Sequence, residues 1–220
     1  MNTQILNTFR ARKAIELHKN VPADWYEFSV KHNIFQRFWH TTRFRVVGKH
    51  SRDLTGKILD IGCCDGLFTK VILDNSKADS ITGIDVLEPA IRHAQKRYKK
   101  NKKLHFQLGE AHKLPFKAKT FDHVFCLEAL EHVEDPSQVI KEMRRVLKPG
   151  GSVHILVPRE NTLFNIIWFF WTKYRGKIWN GTHIHDYTPE DIRNFLKIQG
   201  FTLKVNHPFM LGMLQFFIAE

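Results

Sequence analysis

The sequence predicts an α/β protein built on a doubly wound, mostly parallel sheet. Three observations predict it. From residue 56 onward, short apolar runs alternate with segments of helical periodicity. The first run ends in a small-residue turn, Gly62-Cys63-Cys64-Asp65-Gly66, that leads straight into a helical pattern. The length, 220 residues, suits one medium domain with a short N-terminal extension. Strands separated by helices lie parallel, because each crossover helix carries the chain back to the same end of the sheet.

Seven strands are expected. They cover residues 57–61, 80–85, 104–108, 121–127, 152–157, 201–205 and 214–219. Helical spacing follows the first strand over 67–74 and the second over 88–100, where Pro89 sits at a tolerated early position. Residues 136–147 put Val139, Ile140, Met143, Val146 and Leu147 on one helical face, and Pro149-Gly150-Gly151 is read as its stop. Thr188-Pro189-Glu190-Asp191 resembles a capping box, and the helix it opens ends at Gly200.

Two segments stand outside this alternation. Residues 1–55 carry Trp25, Tyr26, Phe28, Phe35, Phe38, Trp39 and Phe44, too many rings for a disordered tail. They are read as helices that form a lid over the acceptor side, with Trp25 and Tyr26 touching substrate, or as a helix pair covering one face of the sheet. Residues 56–220 form the main domain, with an aromatic insertion at about 159–187. The insertion holds the apolar run 163–171, followed by Lys173, Arg175 and Lys177. Rings beside cations suit a membrane interface, while an all-apolar helix equally suits a pocket wall.

Composition narrows the class. Hydrophobic residues make up 43% and charged residues 25%, which excludes a disordered or collagen-like chain. Three Cys make no disulfide scaffold and, with no signal-peptide core over 1–20, predict a cytoplasmic protein. No apolar run reaches the roughly 20 residues that span a bilayer. The 34 Lys+Arg against 22 Asp+Glu give a net charge of +12, a field that favours nucleic acid, anionic lipid or an anionic substrate. Basic residues cluster at Arg43, Arg45, Lys49 and Arg52, and again over 96–103.

The 62–66 turn marks a nucleotide-type site, where glycine permits the turn and the helix N-terminus offers unpaired N–H groups. A dinucleotide dehydrogenase needs G-x-G-x-x-G, but Cys64 and Leu67 stand where its second and third glycines belong. The spacing Asp60-x-Gly62-x-Cys64-x-Gly66 instead resembles the first motif of the class I S-adenosylmethionine-dependent methyltransferases. The resemblance continues in order through Asp85, Gly109-Glu110-Ala111 with Leu114-Pro115-Phe116, the segment 127–133, and 145–151. It covers roughly residues 56–158 and is nearest the ubiquinone-biosynthesis-like and other small-molecule members. It implies a Rossmann-like sheet with the last strand antiparallel and S-adenosyl-L-methionine as cofactor. It also implies a cofactor site of Asp60, Gly62, Cys63, Cys64, Gly66, Asp85, Val86, Glu110, Ala111, Leu127 and Glu128. Asp85 would take the ribose hydroxyls and Glu110 would face the adenine amino group. Cys64 departs from the family's middle glycine and narrows the space there.

Methyl transfer needs a base only when the acceptor carries a proton. His132, just beyond the fourth strand, is the first candidate, against a role in ordering its loop; His185 is the second. His183 and Tyr187 are candidate substrate contacts. No metal is expected, since Cys63-Cys64 lack a C-x-x-C spacing and His183-x-His185 lacks a third ligand. The expected acceptor is a small, hydrophobic or lipid-like molecule, with an anionic membrane surface as partner. An RNA or protein acceptor, or an inactive partner protein of the same fold, remain the alternatives.

Overall fold

The computed structural model describes residues 8–159, 161–174, 176–177 and 181–220; Arg175 of the insertion lies outside them. Three helices come first: α1 (Phe9–Leu17), α2 (Trp25–His32) and α3 (Ile34–Ser51). Then follow β1 (Thr55–Ile61), α4 (Leu67–Asn75), β2 (Lys77–Asp85), α5 (Glu88–Arg97), β3 (Leu104–Leu108) and β4 (Phe121–Leu127). A 3₁₀ turn (Leu130–His132), α6 (Pro136–Val146), β5 (Leu147–Pro158), α7 (Thr162–Tyr174), α8 (Pro189–Ile198), β6 (Leu203–Phe209) and β7 (Leu214–Ala219) complete the chain.

The strands form one seven-stranded sheet in the order β3-β2-β1-β4-β5-β7-β6. Pairing from β3 across to β5 is parallel, and β7 runs antiparallel between β5 and β6. The chain order reverses between β1 and β4, so the crevice at their carboxyl ends is where an open sheet of this kind binds ligand.

Side chains alternate between two cores, as the period of two in a strand requires. Val124 and Cys126 of β4 join Ile140, Met143 and Ile192 under α6 and α8. Phe125 and Leu127 join Val47, Phe68, Ile72 and Ile91 under α3, α4 and α5. Phe125 is fully buried, and burial of such a ring contributes roughly 1.5–3 kcal/mol. Helix α3, with Tyr26 of α2, therefore covers part of one face of the sheet and supplies part of its core.

Several boundaries differ from the sequence reading. β2 begins at Lys77 rather than 80, α5 stops at Arg97 rather than 100, and β6 runs over Leu203–Phe209 rather than 201–205. β5 starts directly after α6, so Pro149-Gly150-Gly151 lies inside the strand's irregular first half. Glycine is required there: a Cβ on Gly151 would sit 2.4 Å from the Asp122 carbonyl oxygen. The capping box of α8 forms as expected, with Thr188 N–H donating to Asp191 Oδ2 at 2.8 Å.

The insertion contributes helix α7. Phe164 of α7 is buried, whereas Ile166, Ile167, Phe169 and Phe170 are exposed. No helix of the described residues is long and apolar enough to cross a membrane.

Candidate functional site

The site is built on the turn that ends β1. Gly62 has φ +74, and both its N–H and that of Cys63 donate to the Ile84 carbonyl, at 2.9 and 3.0 Å. A Cβ on Gly62 would sit 2.4 Å from the Ala129 Cβ, so the contact that excludes a side chain there is the loop after β4. Cys64 lies in the left-handed region at φ +47, where glycine is the ordinary occupant. Its N–H donates to Asp85 Oδ2 at 2.9 Å, and Leu87 N–H donates to Asp85 Oδ1 at 2.9 Å. The Asp85 carboxylate is thus pinned at both oxygens. Burial raises its pKa, and these two backbone bonds oppose the rise.

Two buried carboxylates hold the turn, Asp60 from the strand before it and Asp65 from within it. Burial pushes Asp60 up to about 7, and Thr69 Oγ1 donates to it at 2.6 Å. Asp65, fully buried, accepts Leu67 N–H and Glu27 N–H, both at 3.1 Å. It therefore ties the start of α4 to α2.

Two adjoining cavities open above this floor. The first, about 110 Å³, runs between Gly62, Cys64, Asp85 and Val86 on one side and Glu110, Ala111 and Glu128 on the other. Helix α1 closes it with Arg10, Lys13, Ala14 and His18. That helix is latched by Lys13 Nζ on Glu134 Oε1 at 2.6 Å and Arg10 on Asp135 at 3.4 Å. Helix α1 stands over this first cavity, whereas Trp25, Tyr26, Phe35 and Trp39, the segment expected to act as a lid, line the second.

The second cavity, about 280 Å³, is walled by Trp25, Tyr26, Trp39, Phe164, Trp168 and Trp171. Its inner end is polar, with His40, Arg43, Glu128, Glu131, His132 and His183. Tyr26, Glu128 and His132 line both cavities, so the two meet at the end of β4. Glu128 adopts φ +51 there and pairs with Arg43, which also contacts His40 Nδ1. Burial lowers Arg43 to about 10 and, with Arg43 beside it, lowers His40 to about 2. His40 Nε2, Arg43 Nε and Glu128 Oε1 are buried without a hydrogen-bond partner among the described residues. Buried polar atoms of that kind are ordinarily satisfied by water or a polar ligand.

His132 Nδ1 donates to the Thr182 carbonyl at 2.8 Å, which leaves Nε2 as the proton-accepting nitrogen. Its ring lies 4.6 Å from His18 and 5.1 Å from His183. Burial first, then these two rings, drive its pKa well below the usual histidine range. Glu131, His132 and His183 each offer a ligand atom, all within 4.8 Å of one another. This trio was not foreseen from the sequence, because the fold and not the His183-x-His185 spacing brings it together.

Not every expected residue reaches a cavity. The Cys63 side chain packs under Gly83 and Phe106, Leu127 is core, and Asp60 and Gly66 act behind the loop. Tyr187 is buried with its hydroxyl on the Leu130 carbonyl at 3.1 Å, so it braces the 3₁₀ turn and faces neither cavity. His185 stacks on Tyr187 at 5.5 Å and lines neither cavity, which removes it from contact with a reacting group there. Arg43 is buried, not part of a surface cluster with Arg45, Lys49 and Arg52. Its only sequence signal was its place among rings in a Phe-Trp-His-Thr-Thr-Arg-Phe stretch. His18, His40 and His112 were likewise not singled out from the sequence.

Comparisons with known proteins agree with this fold. Residues 59–155 match a family model described as a methyltransferase domain. Proteins named ubiquinone biosynthesis O-methyltransferase are similar to the chain. The Idiomarina loihiensis protein is 28% identical over 72% of this chain, and the chain spans 64% of that protein's length. The Pseudomonas fluorescens protein is 29% identical, over 81% of this chain and 76% of its own length. Among solved structures, a chain from the Haloferax volcanii complex of the Trm112 methyltransferase activator with a methyltransferase has a TM-score of 0.71 at 17% identity. It covers 90% of this chain and 96% of its own. A SAM-dependent methyltransferase from Aquifex aeolicus has a TM-score of 0.60 at 16% identity, over 96% of this chain and 98% of its own. These structural neighbours share the fold.

Proposed function

The chain is a class I S-adenosylmethionine-dependent methyltransferase, and we propose that it carries a methyl group to a small, hydrophobic or lipid-like acceptor. The observation that carries this reading is the pair of adjoining cavities, one with a pinned carboxylate and one walled by aromatic rings. S-adenosyl-L-methionine supplies an activated methyl when bound, and the chain supplies alignment and a dry site.

Asp85, held by two backbone N–H groups, is set to receive the ribose hydroxyls, and Glu110 to receive the adenine amino group. Arg43 at the junction offers a buried cation to an anionic group, with Glu128 as its counter-charge. The rings of Trp25, Trp39, Trp168 and Trp171 exclude water and fit a flat or apolar acceptor. His132, kept neutral by burial, presents Nε2 as a hydrogen-bond acceptor for an acceptor hydroxyl, its orientation set by the Thr182 carbonyl. The two cavities meet beside it, where reacting atoms from both ligands would come together.

The exposed apolar side chains of α7 and the nearby Ile34, Phe35 and Phe38 of α3 flank the aromatic cavity, of which Phe35 and Ile167 are lining residues. They support a protein that works at a membrane surface, where a greasy acceptor resides. Transfer of labelled methyl from S-adenosylmethionine into the lipid fraction of a cell extract is the expected result. Label found only in RNA or protein would overturn the acceptor class while leaving the fold assignment untouched.

A further inference from the structure

We infer that His112 is a positioning residue that aims the Glu110 carboxylate at the adenine ring and so sets selectivity for the nucleobase. This rests on the reading of Glu110 as the adenine acceptor.

The geometry is local. Glu110 follows β3 and is only 5% exposed, so its carboxylate cannot rely on water to hold it. Its Oε1 accepts the His112 backbone N–H at 2.9 Å and also the His112 Nδ1–H. Both bonds end on one oxygen, which leaves Oε2 for the cavity that Glu110 lines. The imidazole is itself fixed from behind. Asp135 N–H donates to its Nε2 at 3.1 Å, so the ring proton sits on Nδ1 and points at Glu110. Gln138 Nε2 donates to the His112 carbonyl at 3.1 Å, and Asp135 Oδ1 accepts Gln138 N–H at 3.0 Å at the start of α6. The carboxylate is therefore referenced to the rigid N-terminus of a helix and not to its own loop.

Charge follows the same path. Burial works to raise the Glu110 pKa, and the bonds from His112 outweigh it, so the group stays below the usual range and ionised. An ionised, aimed carboxylate accepts the exocyclic amine of adenine and repels the carbonyl that hypoxanthine presents at the same place.

Binding of S-adenosylhomocysteine and S-inosylhomocysteine, measured by titration calorimetry, tests this without any turnover. The full chain should prefer the adenosyl compound by about tenfold or more, the ratio expected when a charged acceptor meets a lone pair instead of a donor. Glu110→Ala should abolish the preference. His112→Ala should reduce it at least fivefold, while His112→Asn, whose amide N–H replaces Nδ1–H, should keep it. His112→Gln, which cannot place a donor at Nδ1, should lose it, and the Asn and Gln pair decides the matter if the Ala variant does not fold. Full preference in His112→Ala and His112→Gln, with loss in Glu110→Ala, would overturn the role of His112. Full preference in Glu110→Ala would overturn the reading of Glu110 itself.

Discussion

Cys64 and Asp85 are joined across the mouth of the sheet: the Cys64 N–H donates to Asp85 Oδ2 at 2.9 Å. One carboxylate thus both shapes the 62–66 turn and faces the first cavity. Asp85→Ala should weaken S-adenosylmethionine binding at least tenfold, since each bond to a charged acceptor contributes roughly 1.5–3 kcal/mol. Titration calorimetry on a variant with an unchanged circular dichroism spectrum measures it. Unaltered affinity would remove Asp85 from the site.

Cys64 occupies a left-handed conformation at φ +47. Such a conformation costs a side-chain-bearing residue roughly 1–2 kcal/mol, part of which glycine gives back through its freer unfolded chain. Cys64→Gly should raise the urea midpoint, by a few tenths to about 1 kcal/mol in free energy. A lower midpoint would show that the thiol's packing outweighs the strain.

Arg43 and Glu128 form a buried pair, with side chains only 3% and 13% exposed. Arg43→Met should leave Glu128 uncompensated and destabilise the protein by about 3 kcal/mol. Adding Glu128→Gln should recover part of that loss. Additive effects of the two changes in denaturant unfolding would mean the groups do not couple.

His154 is buried between Phe125, on which it stacks at 4.3 Å, and the Ser152 hydroxyl at 2.8 Å. Burial first, then His123 and His50, hold its pKa well below the usual range. The folded protein keeps it neutral, while the unfolded chain takes up a proton near pH 6.5. Its contribution is therefore present above that pH and lost as pH falls. Between pH 6.5 and 5, the stability of the protein relative to His154→Gln should fall by up to about 1.4 kcal/mol per pH unit. Parallel stability curves for the two proteins would contradict the shift.

Flotation with anionic liposomes examines α7. Binding should appear at low salt, weaken as salt screens the net charge of +12, and drop when Ile166, Phe169 and Phe170 are changed to Ser. These exposed residues are the ones to change, because Trp168 and Trp171 line the aromatic cavity. No flotation at low salt would leave α7 as a cavity wall alone.

Much of the fold was legible in the sequence because its signals are local. The 62–66 turn, the period-two run at 104–108, the apolar run at 121–127 and the Thr188 capping box each depend on residues a few positions apart. Strand starts were less legible. Pro149-Gly150-Gly151 looks like a helix stop, yet pairing with β4 draws it into β5. Propensity says where a helix ends but not where a neighbouring strand begins to pair.

The sequence by itself determined the small-residue first turn and the alternation of strands with helices, while Asp85 and Glu110 were singled out only by the resemblance to a known family. It did so because the backbone geometry of a turn and the periodicity of a strand are written within a few residues of chain. Only the tertiary structure decided which side chains share a cavity. Arg43 lies 85 positions from Glu128 in the chain, and His18, His132 and His183 come from three separate segments. It also turned Tyr187 and His185 away from both cavities and set α1 over the first. Contacts of that range depend on how helices dock on the sheet. Docking is fixed by the burial of whole faces, and no local pattern specifies which distant residue a buried side chain will meet.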